Sequence, residues 1–157
     1  MQHDSRLRWY FNNSIFPATT VNFGPDAACW DHIDHANYAC GWCAIWGLGR
    51  YDPTQGGHLI LFDVKKFIQF PPGSLILIPS ALMRHANTPL QPGDERLGLT
   101  QYAAGGLFRW VENGFRTAEH ADESTRSRME VEARGRYRAL LNLYSKHGQL
   151  SEDRLSV

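Results

Sequence analysis

Long apolar runs are absent from this chain of 157 residues. The longest, Leu75 to Ile78, is the length of a strand and far short of the roughly 20 residues that span a bilayer. Cysteine is scarce as well. Three are too few, and odd in number, for a disulfide framework, so a reducing, intracellular setting is expected. The first eight residues are polar and charged and carry no signal-peptide core. Neither sign of charge dominates, because 16 Lys+Arg stand against 16 Asp+Glu. That balance argues against holding nucleic acid by a bulk basic field and leaves only a local groove for the purpose. With 43% of residues hydrophobic, the chain is not intrinsically disordered either. Its length suits one hydrophobic core, hence a single domain over 1–157.

What is present is a series of short apolar segments punctuated by Gly and Pro. Strands are expected at 40–48, 58–63, 67–70, 74–78, 82–88 and 96–102. Turn sequences separate them, among them Asp52-Pro53-Thr54-Gln55-Gly56-Gly57, Pro71-Pro72-Gly73 and Gln91-Pro92-Gly93-Asp94. Short strands with turns about every 8–12 residues point to a sandwich or barrel. No helical pattern intervenes, so a βαβ arrangement is disfavoured. The expected fold is mainly β, a small jelly roll with its core over about 20–117.

After Gly105-Gly106 the character changes, and a helical C-terminal segment is expected over about 118–148. Within 122–146, Met129, Ala133, Tyr137, Leu140, Leu141 and Tyr144 recur at the spacing of one helix face, with Arg and Glu elsewhere around it. A helix buttressing the sheet accounts for this pattern; an arginine-rich nucleic-acid contact is the alternative. Gly135 in its middle costs about 1 kcal/mol and marks a place to kink or fray.

Of the seven histidines, His3, His120 and His147 lie in polar surroundings and His58 opens a strand. His32 and His85 differ in their companions. His32-Ile33-Asp34 sets an imidazole and a carboxylate on alternate residues, hence on one side of an extended segment. His85 follows several strands later, and Arg96 comes eleven residues after it, across a Pro-Gly turn. Two imidazoles and one carboxylate on one face of an iron leave positions open, as in non-haem Fe(II) oxygenases. Two open positions suit a bidentate 2-oxo acid and the third suits dioxygen. The far carboxylate of 2-oxoglutarate would pair with Arg96 through two charge-assisted hydrogen bonds, a geometry Lys cannot match.

Blander readings compete. His85 and Arg96 could be a satisfied core histidine and a surface ion-pair partner. Cys29, His32, Cys40 and Cys43 have the ligand types and spacing of a structural zinc site. Against zinc, Gly41-Trp42-Cys43-Ala44-Ile45 reads as a buried strand, where cysteine is an ordinary small hydrophobe.

With those residues in hand, the chain resembles the TET/JBP-type Fe(II)- and 2-oxoglutarate-dependent dioxygenases, and most of all their fungal, transposon-associated branch. The resemblance covers about 20–117. It is carried by Val21-Asn22-Phe23-Gly24-Pro25, His32-Ile33-Asp34, Gly41-Trp42-Cys43-Ala44-Ile45, Gly56-Gly57-His58-Leu59 and Phe70-Pro71-Pro72-Gly73-Ser74. It continues through Ile78-Pro79-Ser80-Ala81, Arg84-His85-Ala86-Asn87, Thr100-Gln101-Tyr102 and Gly105-Gly106-Leu107-Phe108-Arg109-Trp110. The resemblance implies a double-stranded β-helix that flips 5-methylcytosine out of DNA and oxidises its methyl group, in the nucleus. It implies iron on His32, Asp34 and His85, and 2-oxoglutarate on Arg96. Where the family often has serine two residues after that arginine, this chain has Gly98, and Thr100 on the same face is the expected substitute. Family members usually carry more sequence ahead of the His-x-Asp strand.

A target base must be flipped or single-stranded to reach a buried iron. Asn37, three residues past Asp34, is the expected polar contact to its edge, with turn capping as the alternative. Trp42, Trp46 and Trp110 are expected in the core. Two other functions stay open: a dioxygenase acting on N-methyl adenine, RNA or protein, and a non-catalytic jelly-roll module.

Overall fold

The computed structural model describes residues 4–156, so His3 lies outside the described residues. The described chain divides into two compact units, one ending at Phe108 and the other beginning at Arg109.

Apolar residues alternating along short strands give the first unit its two antiparallel sheets. The strands are β1 (Ala18–Asn22), β2 (Cys43–Arg50), β3 (Leu59–Leu61), β4 (Lys66–Ile68), β5 (Leu75–Ile78), β6 (His85–Asn87) and β7 (Glu95–Tyr102). One sheet runs β1-β7-β2-β5 and the other β4-β3-β6. Leu59 and Leu61 from one sheet meet Ile78 from the other, with Ile45, Ile68, Ile76 and Met83 packed against them. Burying each such aliphatic side chain contributes about 1.5–3 kcal/mol, so this interlayer holds the sheets together. The result is the mainly β, jelly-roll-like architecture expected from the turn spacing.

Three local outcomes differ from the expectation. β1 was not foreseen: Ala18-Thr19-Thr20-Val21-Asn22 is an edge strand exposed along its outer half, with no apolar run to announce it. Helix α1 (Gly105–Glu112) opens on the two glycines that read as a break. Trp42 is 48% exposed rather than a core residue.

In the second unit, helix α2 (Glu123–Leu141) forms within the expected segment. Asp122 caps it by accepting a 2.8 Å hydrogen bond from the Thr125 backbone N–H. Its apolar stripe is only partly covered: Met129 and Leu140 are half-buried, Tyr137 is 58% exposed, and the helix ends at Leu141, short of Tyr144.

Candidate metal centre

The site is assembled by backbone pairing. The stretch before Asp34 runs along β6, where His32 and His85 exchange backbone hydrogen bonds of 3.0 and 2.9 Å and the Asn87 N–H donates to the Cys29 carbonyl. Directly paired residues point to one face, so the two imidazoles lie side by side, ring centroids 4.4 Å apart. Asp34, two residues on from His32, is anchored by its backbone N–H to the Ser80 carbonyl. One nitrogen or oxygen from each of His32, Asp34 and His85 falls within 4.8 Å of the others, and His32 Nε2 stands 3.4 Å from Asp34 Oδ1.

Each side chain of the trio is oriented by a neighbour. His32 Nδ1 lies 2.7 Å from the Trp30 carbonyl and His85 Nδ1 lies 2.8 Å from the Met83 carbonyl. A carbonyl only accepts, so each Nδ1 carries a proton and each Nε2 is the nitrogen left to face a metal position. Burial lowers the His85 pKa, assisted by the neighbouring His32, which keeps the ring neutral as a ligand must be. Asn37 holds the remaining carboxylate oxygen, donating from Nδ2 to Asp34 Oδ2 at 3.3 Å and to Ser80 Oγ at 3.1 Å. The loop that carries Asp34 and Asn37 is tied down by the return from β7. Tyr38 N–H donates to Ala103, Gly105 N–H donates to Ala36, and the Tyr38 and Phe108 rings stack at 3.7 Å.

His32, Asp34, Asn37 and His85 line a cavity of about 610 Å3. The alternating residues Arg96, Gly98, Thr100 and Tyr102 of β7 all face it, as do Thr20 and Asn22 from β1. Arg96 is 3% exposed. Its Nη1 donates to the Ala27 carbonyl at 2.9 Å, and its guanidinium lies over the Phe70 ring, 6.0 Å from the centroid. Its Nε is buried without a hydrogen-bond partner. Tyr51 lies beside it, donating to the Phe70 carbonyl at 2.5 Å; burial raises the Tyr51 pKa against the pull of Arg96. Arg84 faces away from the site and pairs with Asp31, as its neighbouring position to His85 requires. Arg109 belongs to the second unit.

The donor set fits a divalent transition metal. Two imidazoles and one carboxylate are the ligands non-haem iron takes, and all three line one cavity. The unpartnered, buried Arg96 Nε fits a carboxylate, which accepts charge-assisted hydrogen bonds from a guanidinium. The zinc alternative does not form. Among the described residues, Cys29, Cys40 and Cys43 join no group of ligand atoms close enough to share an ion. Burial pushes the Cys43 thiol up to about 11, so it stays protonated at neutral pH.

Ser80, Tyr51, Phe70 and Asn22 were not singled out from sequence. Ser80, Phe70 and Asn22 stood in the stretches that carry the family resemblance; Tyr51 carried no signal of its own.

No family model matches the chain, and no curated protein matches it. Among solved structures, NgTET1 in complex with 5mC DNA aligns with a TM-score of 0.51 at 20% sequence identity. The alignment covers 60% of this chain and 36% of that chain, so this protein spans little more than a third of its structural neighbour. At that identity the likeness is one of fold: the β core of this chain is similar in architecture to part of NgTET1.

Proposed function

We propose that this chain is an Fe(II)- and 2-oxoglutarate-dependent dioxygenase of the TET/JBP type, oxidising the methyl group of 5-methylcytosine in DNA. The observation that carries the reading is the convergence of His32, Asp34 and His85 on the wall of a cavity that also holds Arg96. In this reading the 157 residues work as one dioxygenase domain, its chemistry carried by the β core, and a chromosomal substrate places it in the nucleus.

His32, Asp34 and His85 hold the iron, and Arg96 with Thr100 holds 2-oxoglutarate. When bound, iron with 2-oxoglutarate supplies the activation of dioxygen that hydroxylates a methyl group, the cosubstrate leaving as succinate and CO2. The protein's part is orientation. The Trp30 and Met83 carbonyls keep both imidazoles in the tautomer that offers Nε2. Asn37 keeps Asp34 from swinging with its amide and reserves its carbonyl oxygen for a base edge. A cavity of about 610 Å3 exceeds what the cosubstrate fills and leaves room for a flipped base. Trp30, 93% exposed two residues before His32, supplies a surface on which neighbouring bases stack.

The test is mass spectrometry of nucleosides after incubation with methylated DNA, Fe(II), 2-oxoglutarate and ascorbate. Hydroxylated methylcytosine is expected, together with stoichiometric succinate that disappears in His85→Ala. Succinate formed only with N-methyl adenine, RNA or protein would overturn the substrate. No succinate with any of them would leave a non-catalytic jelly-roll module.

A further inference from the structure

Gly98 interrupts the row of cavity-facing side chains on β7. Its partners across the sheet are Gly47 on β2 and Asn22 on β1, so Gly47, Gly98 and Asn22 form one row on one face. The two glycines have unlike surroundings. A Cβ on Gly47 would meet the Tyr51 hydroxyl at 2.8 Å and the Phe70 ring at 2.9 Å; that space is filled. At Gly98 the only atoms within 4 Å of a Cβ, among the described residues, belong to Asn22, whose Nδ2 lies 3.6 Å away. The row is therefore a notch, walled by Tyr51 and Phe70 on one side and by the Asn22 amide on the other. The Arg96 guanidinium lies over that same Phe70 ring, next to the notch, with its Nε unpaired.

We propose that Asn22 is a cosubstrate-binding residue, donating from its side-chain amide to the distal carboxylate of the 2-oxo dicarboxylate held by Arg96. This rests on the dioxygenase reading and adds to it a residue on a different strand. A carboxylate has four lone-pair directions, and Arg96 fills only those on its own side. The notch at Gly98 admits the carboxylate because no side chain stands there, and Asn22 meets the oxygen that faces away from Arg96. β1 is the edge of its sheet and Asn22 its last residue, so truncating this side chain removes nothing from the core.

The experiment is anaerobic calorimetric titration of the Mn(II)-loaded full chain with 2-oxoglutarate and with 2-oxopentanoate, which lacks the distal carboxylate. Asn22→Ala should weaken 2-oxoglutarate binding about tenfold or more, the loss of one hydrogen bond to a charged group. Its Mn(II) affinity, its melting temperature and its binding of 2-oxopentanoate should stay at wild-type values. Wild-type 2-oxoglutarate affinity in Asn22→Ala would overturn the assignment of Asn22 and leave the dioxygenase reading standing. Equal weakening of both ligands would overturn it too, by showing a role away from the distal carboxylate. A wild-type protein that binds Mn(II) but no 2-oxoglutarate would overturn both.

Discussion

The two oxygens of Asp34 have separate duties. Oδ1 faces His32 Nε2 and the metal position, while Oδ2 accepts from Asn37, which Ser80 steadies in turn. A carboxylate so held loses little torsional freedom when it takes up an ion. Asn37→Ala should therefore weaken metal binding about 10- to 100-fold, the usual effect of losing an outer-shell partner. Titration with Mn(II) followed by electron paramagnetic resonance measures this, and unchanged affinity would remove Asn37 from the site's support. The trio itself was legible in sequence, because ligand chemistry is tied to residue type and His-x-Asp fixes a side. Arg96 stood out by its place after the turn that follows His85, and Thr100, named on the resemblance, lies with it on the cavity wall. Asn22 and Tyr51 did not stand out. A neutral amide or a phenol on its own carries no chemical signature, and only the pairing register shows that Asn22 lies across from Gly98 and Tyr51 above Gly47.

At the scale of elements, strands bounded by Pro and Gly were found to within a few residues, since those residues end a ladder wherever they stand. Elements without such punctuation were missed: β1 has polar, β-branched residues at a sheet edge, and α1 begins on glycines that weaken a helix. Helix α2 was announced by its spacing and is started by a cap rather than by burial. The Thr125 and Ser124 hydrogen bonds draw the Asp122 pKa from 3.8 to about 2. The folded state thus binds the proton less readily than the unfolded state does. The stabilisation is complete above about pH 3.8 and is lost as the pH falls toward 2, when the carboxylate becomes a weaker acceptor. Carboxyl-carbon NMR should show Asp122 titrating near 2, with amide protection of Thr125 and Arg126 fading in the same window. Fading that is unaltered in Asp122→Ala would separate the cap from the acid response.

The whole molecule draws its site from segments far apart in the chain. His32 and Asp34 come from the stretch before β2, His85 from the smaller sheet, and Arg96 from the larger one. An unfolded chain cannot present these groups together, so metal affinity adds directly to folding stability. At a free metal concentration about a hundredfold above Kd, the gain is about 2.7 kcal/mol. For a chain of this size each kcal/mol raises the melting temperature by about 2–4 °C, which makes the expected rise about 5–11 °C. On the dioxygenase reading, 2-oxoglutarate should add a further rise only when metal is present. Arg96→Ala then divides the two effects. The contacts of Arg96 are with Ala27 and Phe70 rather than with the three candidate metal ligands, so the rise with Mn(II) should persist. The further rise with 2-oxoglutarate should vanish at concentrations saturating for the wild type, because losing a charged pair in a buried position costs about 2–4 kcal/mol of cosubstrate affinity. Arg96→Lys should restore only part of it, since an ammonium cannot offer two parallel donors. Thermal unfolding with Mn(II) alone, with 2-oxoglutarate alone and with both makes the comparison. A wild-type response to 2-oxoglutarate in Arg96→Ala would move the anchor to another cation and break the register on which the site is built.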